Sequence, residues 1–422
     1  MFCDFCSIAY IGITYLFNRN RGQLFNSLAK FNILSIKLFQ AFALNIQDED
    51  LMNDLLIYAD SSPFTIENDV DIESLDELKR EHKLTFDIET PINTGMISLV
   101  YKGLDTSNNP VIIKIKRKNI NSRLDTAIIK IKNFIHFLSY FQCLVFFDIL
   151  KIEKYFIENT ILITQQLDFN LERKNINFMK KLAEPLTYVV IPKVFEQYCN
   201  DNIIVMEFIN GLHISQVPEI NYKTYAELGI KYMLISLMLN GSVHGDLHCG
   251  NMLFLEEPTT QAGEHKLKIG IIDFGLVYNI NDRFRDKFME VMLGIFTKDP
   301  VEAATCMFYS GIIEPENLLQ TVPDFHKTAL IKIMADFIEK TIHKDKQGGI
   351  MEVCNLLGII HTYIKENNIG NMFTFWINPE FIKIQLVMAM VQGICITLCK
   401  EKHIEVINEC IIKLFHLDLL QD

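Results

Sequence analysis

The segment His244-Gly-Asp-Leu-His-Cys-Gly-Asn251 holds a carboxylate at Asp246 and an amide oxygen five residues later at Asn251. A second carboxylate, Asp273, follows in Asp273-Phe-Gly275, directly after the run Leu267-Lys-Ile-Gly-Ile-Ile272. Phosphoryl transfer from a nucleotide needs such a trio, because its transition state is stabilised by positioning and by metal-borne charge. Asp246 would orient or deprotonate the acceptor, while Asn251 and Asp273 would hold Mg²⁺ against phosphate oxygens. Either tripeptide alone reads as a turn, since Asp and Gly both favour bends. In this order and at this spacing they point to a kinase-type metal site.

The same chemistry asks for a cation on the phosphates and a carboxylate to aim it. Lys114 in Val111-Ile-Ile-Lys-Ile-Lys116 sits mid-strand after a turn-rich stretch, as in the V-A-I-K pattern. Lys116 shares its strand face and is the competing candidate. Asp168 and Glu172 stand one helical turn apart and could supply the carboxylate, although such a pair also reads as a solvated acidic stripe.

These residues require particular elements around them. Residues 96–101 and 111–115 are β-branched runs around the turn-like Asp105-Thr-Ser-Asn-Asn-Pro110, which reads as a hairpin. Residues 202–209 read as a buried strand ending at Asn210-Gly211, and residues 225–239 as an apolar helix stopped by Asn240-Gly241 in a left-handed cap. A long helical stretch is expected over residues 122–181. The polar run 256–264 should form an exposed hairpin loop, and the chain beyond Asp282 reads as a helical bundle. The expected fold class is α+β, with a helical extension over residues 1–80, an N-lobe with inserted helices over 81–208 and a mostly helical C-lobe over 209–422.

With 49% hydrophobic and 22% charged residues among 422, the chain can bury a substantial core. A net charge of −12 argues against a nucleic-acid surface, which needs clustered Lys and Arg. The basic run 114–118 is expected to be mostly solvated. The 10 cysteines show no repeating metal pattern, and Cys3-x-x-Cys6 has no second half, so reduced thiols in an intracellular protein are expected. Cys395 and Cys399 read as core residues. No run reaches 18 uninterrupted apolar residues, so no spanning helix is expected. Residues 5–17 read as a buried helix, with a membrane-surface helix as the alternative. Their charge order does not fit a secretory signal. The apolar stretch 381–398 reads as a core helix.

At these residues the chain resembles the UbiB/ADCK (aarF-domain-containing) family of atypical kinases, over about residues 28–400. The resemblance implies a two-lobed protein-kinase-like fold, with His244 to Asn251 as the catalytic loop and Asp273-Phe-Gly275 as the metal loop. It places the family's strand lysine on Lys114, its ion-pair glutamate on Glu172 and its hinge around Glu207 to Gly211. The family's K-x-G-Q motif falls on Lys37 and Gln40, with Phe39 in place of the glycine. Its E-x-D motif falls on Gln166 and Asp168, with the first carboxylate replaced by an amide. Pro91-Ile-Asn-Thr-Gly95 stands where the family has an alanine-rich loop, and Gly95 could let backbone N–H groups approach phosphate closely.

The resemblance implies an ATP- (or ADP-) and Mg²⁺-binding phosphotransferase or ATPase. Its partner would be a small molecule, lipid-related or of isoprenoid type, with any membrane association peripheral. No A-P-E segment follows Asp273-Phe-Gly275, which counts against a general protein kinase. The competing readings are a nucleotide-binding, pseudokinase-like scaffold and an aminoglycoside- or choline-kinase-like phosphotransferase.

Overall fold

The structure is a computed structural model that describes residues 2–34, 62–139, 163–258, 265–297, 299–314, 318–321, 323–339, 366 and 376–415. In chain order its elements begin with α1 (Phe2–Asn18), α2 (Arg21–Phe31), α3 (Ile66–Asp69) and α4 (Ile72–His82). Strands β1 (Thr85–Phe86), β2 (Asn93–Thr94), β3 (Ser98–Leu104) and β4 (Pro110–Lys116) follow, then α5 (Ile120–Ser139) and α6 (Phe169–Ala183). Next come β5 (Val189–Val190), β6 (Ile203–Glu207), α7 (Tyr222–Met238), β7 (Ser242–His244), β8 (Met252–Pro258), β9 (His265–Ile271) and β10 (Val277–Asn279). The chain continues through α8 (Asp282–Thr297), α9 (Pro300–Tyr309), β11 (Ile313–Glu314), α10 (Leu318–Thr321) and α11 (Asp324–Ile338). It closes with β12 (Trp376–Ile377), α12 (Pro379–Cys399) and α13 (His403–Phe415).

Two compact units divide the chain, Met1–Asn177 with Pro192–Phe208 and Phe178–Ile191 with Ile209–Asp422. The first unit is built on an antiparallel sheet of order β1-β3-β4-β6, with β2 paired to β3. Alternation along β4 sorts its side chains. Val111, Ile113 and Ile115 join Leu99, Tyr101, Ile203 and Val205 on one face, packed with Leu75 and Leu78 of α4. Successive strand residues point to opposite faces, so Ile112, Lys114 and Lys116 face the other way. A second cluster joins Phe25 of α2, Met96 and Ile97, and Ile120, Leu124 and Ala127 of α5.

The second unit carries the sheet β5-β9-β8 and the two-stranded ladder β10-β7. Phe178–Ile191 belongs here because Val189 and Val190 pair in parallel with Ile269 and Gly270 of β9. Helix α7 is apolar nearly all round and buried along most of its length, the pattern of a core helix. It ends as the Asn240-Gly241 pair requires, with Gly241 at φ +63°. The bundle beyond Asp282 is present, with the short ladder of β11 and β12 as an element the sequence did not announce.

Several expectations are corrected. Residues 5–17 lie in α1, but Tyr10, Ile13, Leu16 and Phe17 are exposed, which overturns a buried helix for this face. Tyr10, Ile13 and Phe17 are spaced by three and four residues and so lie on one stripe of the helix. The basic run 114–118 is not mostly solvated, since Lys114 and Arg117 are buried and Lys116 is half-buried. Among the described residues one helical run, Pro379–Lys413, is long and apolar enough to cross a membrane. Phe381, Ile384, Val387, Val391, Ile394 and Leu398 of α12 are buried within the second unit, so this length and composition also suit a core helix. Cys395 is buried with them and burial pushes its thiol pKa up, as for an inert packing cysteine.

Candidate active-site residues

Lys114 lies opposite Val100 on β3 and Ile204 on β6, at the middle of the sheet. Its Nζ donates to Glu172 Oε1 at 2.6 Å, across 58 positions of sequence. Both side chains are nearly out of water, with 9% and 1% exposure. Taking two charges from water costs several kcal/mol per ion, and close contact offsets that only in good geometry. Glu172 occupies the first turn of α6, where the helix dipole favours a carboxylate. Phe169, one turn earlier and fully buried, presents its ring to both Lys114 and Lys116 at 5.6 and 5.0 Å. Lys116 is the looser of the two lysines. Burial lowers its pKa, against the pull of Asp168, Asp201 and Glu172.

The neighbouring candidates sit as follows. The Asp168 carboxylate accepts the Leu171 N–H at 3.0 Å and caps the start of α6. Gln166 is half-buried just before it. Gly95 lies between β2 and β3, and its carbonyl accepts Nε of the buried Arg117 at 2.9 Å. Arg117 was missed by the sequence reading. The only signal for it was its place in the basic run after Lys114. Glu207 ends β6, and its carboxylate accepts the Lys193 N–H at 3.1 Å. Lys37, Phe39 and Gln40 lie outside the described residues.

In the second unit, β7 delivers His244 to a loop whose ends are stitched to the Asp-Phe-Gly segment. Val277 on β10 pairs with His244, and the Gly245 N–H donates to the Leu276 carbonyl at 2.8 Å. A Cβ on Gly245 would lie 2.7 Å from Leu276 Cγ, so only glycine permits this approach. The Ile272 N–H donates to the Asn251 carbonyl at 3.2 Å. His244 closes the arrangement. Its Nδ1 accepts the Asp246 N–H at 3.1 Å, so Nε2 carries the proton and donates to the Asp273 carbonyl. The ring is buried, and that burial lowers its pKa, keeping it the neutral connector this tautomer requires. Its role as a connector was not read from the sequence.

The metal-loop candidates have their nitrogen and oxygen atoms sorted by these bonds. Asn251 Nδ2 donates to the Asp246 carbonyl at 2.8 Å, which commits the amide nitrogen and leaves the oxygen as the end that could meet a cation. Asp273 Oδ1 accepts the Gly275 N–H at 2.9 Å and fixes the carboxylate against its own turn. Fully buried Phe274 anchors that turn, 5.0 Å from the His244 ring centroid. The donor set is hard oxygen, which suits Mg²⁺ and not a softer metal. Among the described residues no group of three or more His, Cys, Asp and Glu is placed to hold a metal by itself. His248 Nε2 stands 3.9 Å from Asp246 Oδ1.

Comparisons with known proteins bear on the family and the fold. A model of the ABC1 atypical kinase-like domain matches residues 60–307, more than half of the chain. A protein of Aeromonas salmonicida described as a probable protein kinase UbiB is 24% identical over 314 residues, 72% of this chain and 53% of the relative. A Clostridium pasteurianum protein described only by its position in the hydrogenase 1 5′ region is 31% identical over 256 residues, 58% of this chain and 46% of the relative. The chain thus spans about half the length of these curated relatives. Among solved structures, the Rv3197–erythromycin complex from Mycobacterium tuberculosis matches with TM-score 0.50 at 16% identity, covering 94% of this chain and 96% of that one. At that identity it speaks for the fold alone. The chain belongs to the ABC1 atypical kinase-like family, the UbiB/ADCK kinases, and has their α+β kinase-like fold.

Proposed function

We propose that the chain is a Mg²⁺- and ATP-dependent atypical kinase or ATPase that acts on, or is regulated by, a small-molecule or lipid-related partner. The observation that carries this reading is the buried Lys114–Glu172 pair at 2.6 Å. A kinase N-lobe spends such a pair on aiming one ammonium at nucleotide phosphates. Lys114 is the phosphate-binding cation in this reading, and Glu172 the carboxylate that positions it. Backbone N–H groups near Gly95 would meet the phosphates, and the segment from Glu207 to Gly211 would serve as the hinge beside the nucleotide. Asn251 and Asp273 would hold a Mg²⁺, whose charge would offset that of the phosphate groups. Asp246 accepts or orients the proton of the attacking hydroxyl or water. Its backbone is held on both sides, by His244 and by Asn251, so its carboxylate has a fixed origin. Lys37, Gln40, Gln166 and Asp168 are the regulatory positions, with Phe39 and Gln166 altering how the pocket is covered.

Steady-state ATP hydrolysis by the native chain and by Asp246→Asn tests the catalytic part. A positioned general base contributes about 10²- to 10⁴-fold, so the variant should fall by that range while still binding ATP. Equal rates in the two proteins would overturn the catalytic reading and leave a nucleotide-binding scaffold.

A further inference from the structure

His248 sits inside the segment from His244 to Asn251, two residues after Asp246 and three before Asn251. It opens the short helical turn Cys249–Asn251, which carries Asn251, with extended backbone at φ −98° and ψ 173°. Its Nδ1 accepts the Gly250 N–H at 3.1 Å, so the ring caps that turn as a serine or aspartate would. Its backbone is tied to both neighbours. The His248 N–H donates to the Asp246 carbonyl, and the His248 carbonyl accepts the Asn251 N–H, each at 3.0 Å.

An Nδ1 that accepts a hydrogen bond carries no proton, so the ring proton is on Nε2. That nitrogen stands 3.9 Å from Asp246 Oδ1, with the two side chains partly open to solvent at 25% and 21% exposure. The separation is longer than a hydrogen bond, and catalytic hydrogen bonds are often long until the substrate is bound. The bonds from His244 and Asn251 fix the Asp246 backbone, and neither sets the plane of its carboxylate. A ring anchored at Nδ1 offers a donor of fixed position beside one carboxylate oxygen. This matters for the other oxygen, because misplacing a reacting group by about 1 Å can cost on the order of 10²-fold in rate.

We propose that His248 is a positioning residue for phosphoryl transfer, an inference that rests on the roles given above to Asp246 and Asn251. Its Nε2–H holds Asp246 Oδ1 and so aims the second carboxylate oxygen at the proton of the attacking hydroxyl or water. Its Nδ1 holds the turn that presents Asn251. His248 itself takes no proton from the acceptor and ligates no metal.

The two ring nitrogens can be replaced one at a time. In His248→Asn the amide oxygen stands in for Nδ1 and Asn is a favoured cap, so the turn is kept while the Nε2–H is lost. In His248→Gln the amide nitrogen stands in for Nε2 and the cap is lost. Steady-state ATP hydrolysis with Mg²⁺ is measured for the full native chain, both variants, Asp246→Asn and Asp246→Asn/His248→Asn, with melting temperatures alongside. His248→Asn should melt with the native chain, keep its KM for ATP within about twofold and lose kcat by about tenfold or more. His248→Gln should melt lower, yet recover part of that kcat. In the Asp246→Asn background, adding His248→Asn should change kcat by less than about twofold, since one residue acts through the other. A native kcat in His248→Asn, a loss carried by KM alone, or an undiminished further loss in the Asp246→Asn background would each overturn the proposal. A native rate no higher than that of Asp246→Asn would overturn the catalytic reading itself, and this inference with it.

Discussion

In the first unit Lys114 is held by a carboxylate 58 residues away, through a direct contact between charged side chains. In the second unit Asp246, Asn251 and Asp273 are held by hydrogen bonds among residues 244–276, most of them through backbone atoms. The first arrangement relies on two buried charges compensating each other, and each is costly without the other. The second relies on a neutral histidine and a glycine contact, so losing one member leaves fewer stranded charges. One region is therefore brittle to single substitutions and the other is brittle to shape and protonation.

The largest effect should come from splitting the pair. Lys114→Ala removes the ammonium that stands 2.6 Å from the buried Glu172 carboxylate, and should cost about 3–5 kcal/mol in denaturant unfolding. Lys114→Met/Glu172→Leu should recover most of that loss, because apolar replacement of a buried pair is often neutral. If the double variant is as unstable as the single one, the contact is not a self-compensating charge pair.

A shape change in the second unit should cost less. Gly245→Ala puts a methyl 2.7 Å from Leu276 Cγ and 3.0 Å from Tyr278 Cε2. Overpacking of this kind costs about 1–3 kcal/mol and should displace Asp246 with it. Wild-type stability together with unchanged turnover would show that the loop does not depend on this approach.

The smallest effect is in the pH profile. The His244 pKa lies below its ordinary 6.5 because the ring is buried, so the unfolded chain binds the extra proton first. Stability from this group is complete above pH 6.5 and is lost as pH falls toward the depressed folded pKa. The slope is at most about 1.4 kcal/mol per pH unit. Melting temperatures of the native chain and His244→Asn between pH 5 and 8 measure it. Parallel profiles for the two proteins would contradict a buried neutral His244.

The same contrast explains how far the sequence could be read. His244 to Gly275 is legible because its residues are close in the chain and their spacing is the geometry. Lys114 was legible from its strand pattern, but its partner was chosen between Asp168 and Glu172 by resemblance. Only the fold shows Asp168 turned back to cap α6 while Glu172 points inward. Arg117 was hidden in a run of basic residues, since burial on a strand end depends on what packs over it. Likewise the apolar stripe of α1 has the composition of a buried helix, and composition does not say whether another element covers it. The parallel pairing of Val189 and Val190 with β9 joins segments eighty residues apart and leaves no local mark.

The proposed function stands most directly on the binding of Mg²⁺–ATP. Thermal stability of the native chain, of Asp273→Asn and of Lys114→Met/Glu172→Leu should be measured with ATP, with and without Mg²⁺. At about 100 times its dissociation constant the nucleotide should add roughly 2.7 kcal/mol, a rise of several degrees. The account predicts that rise in the native chain with Mg²⁺ and its loss in both variants. No Mg²⁺-dependent rise in the native chain, or an undiminished one in both variants, would contradict it.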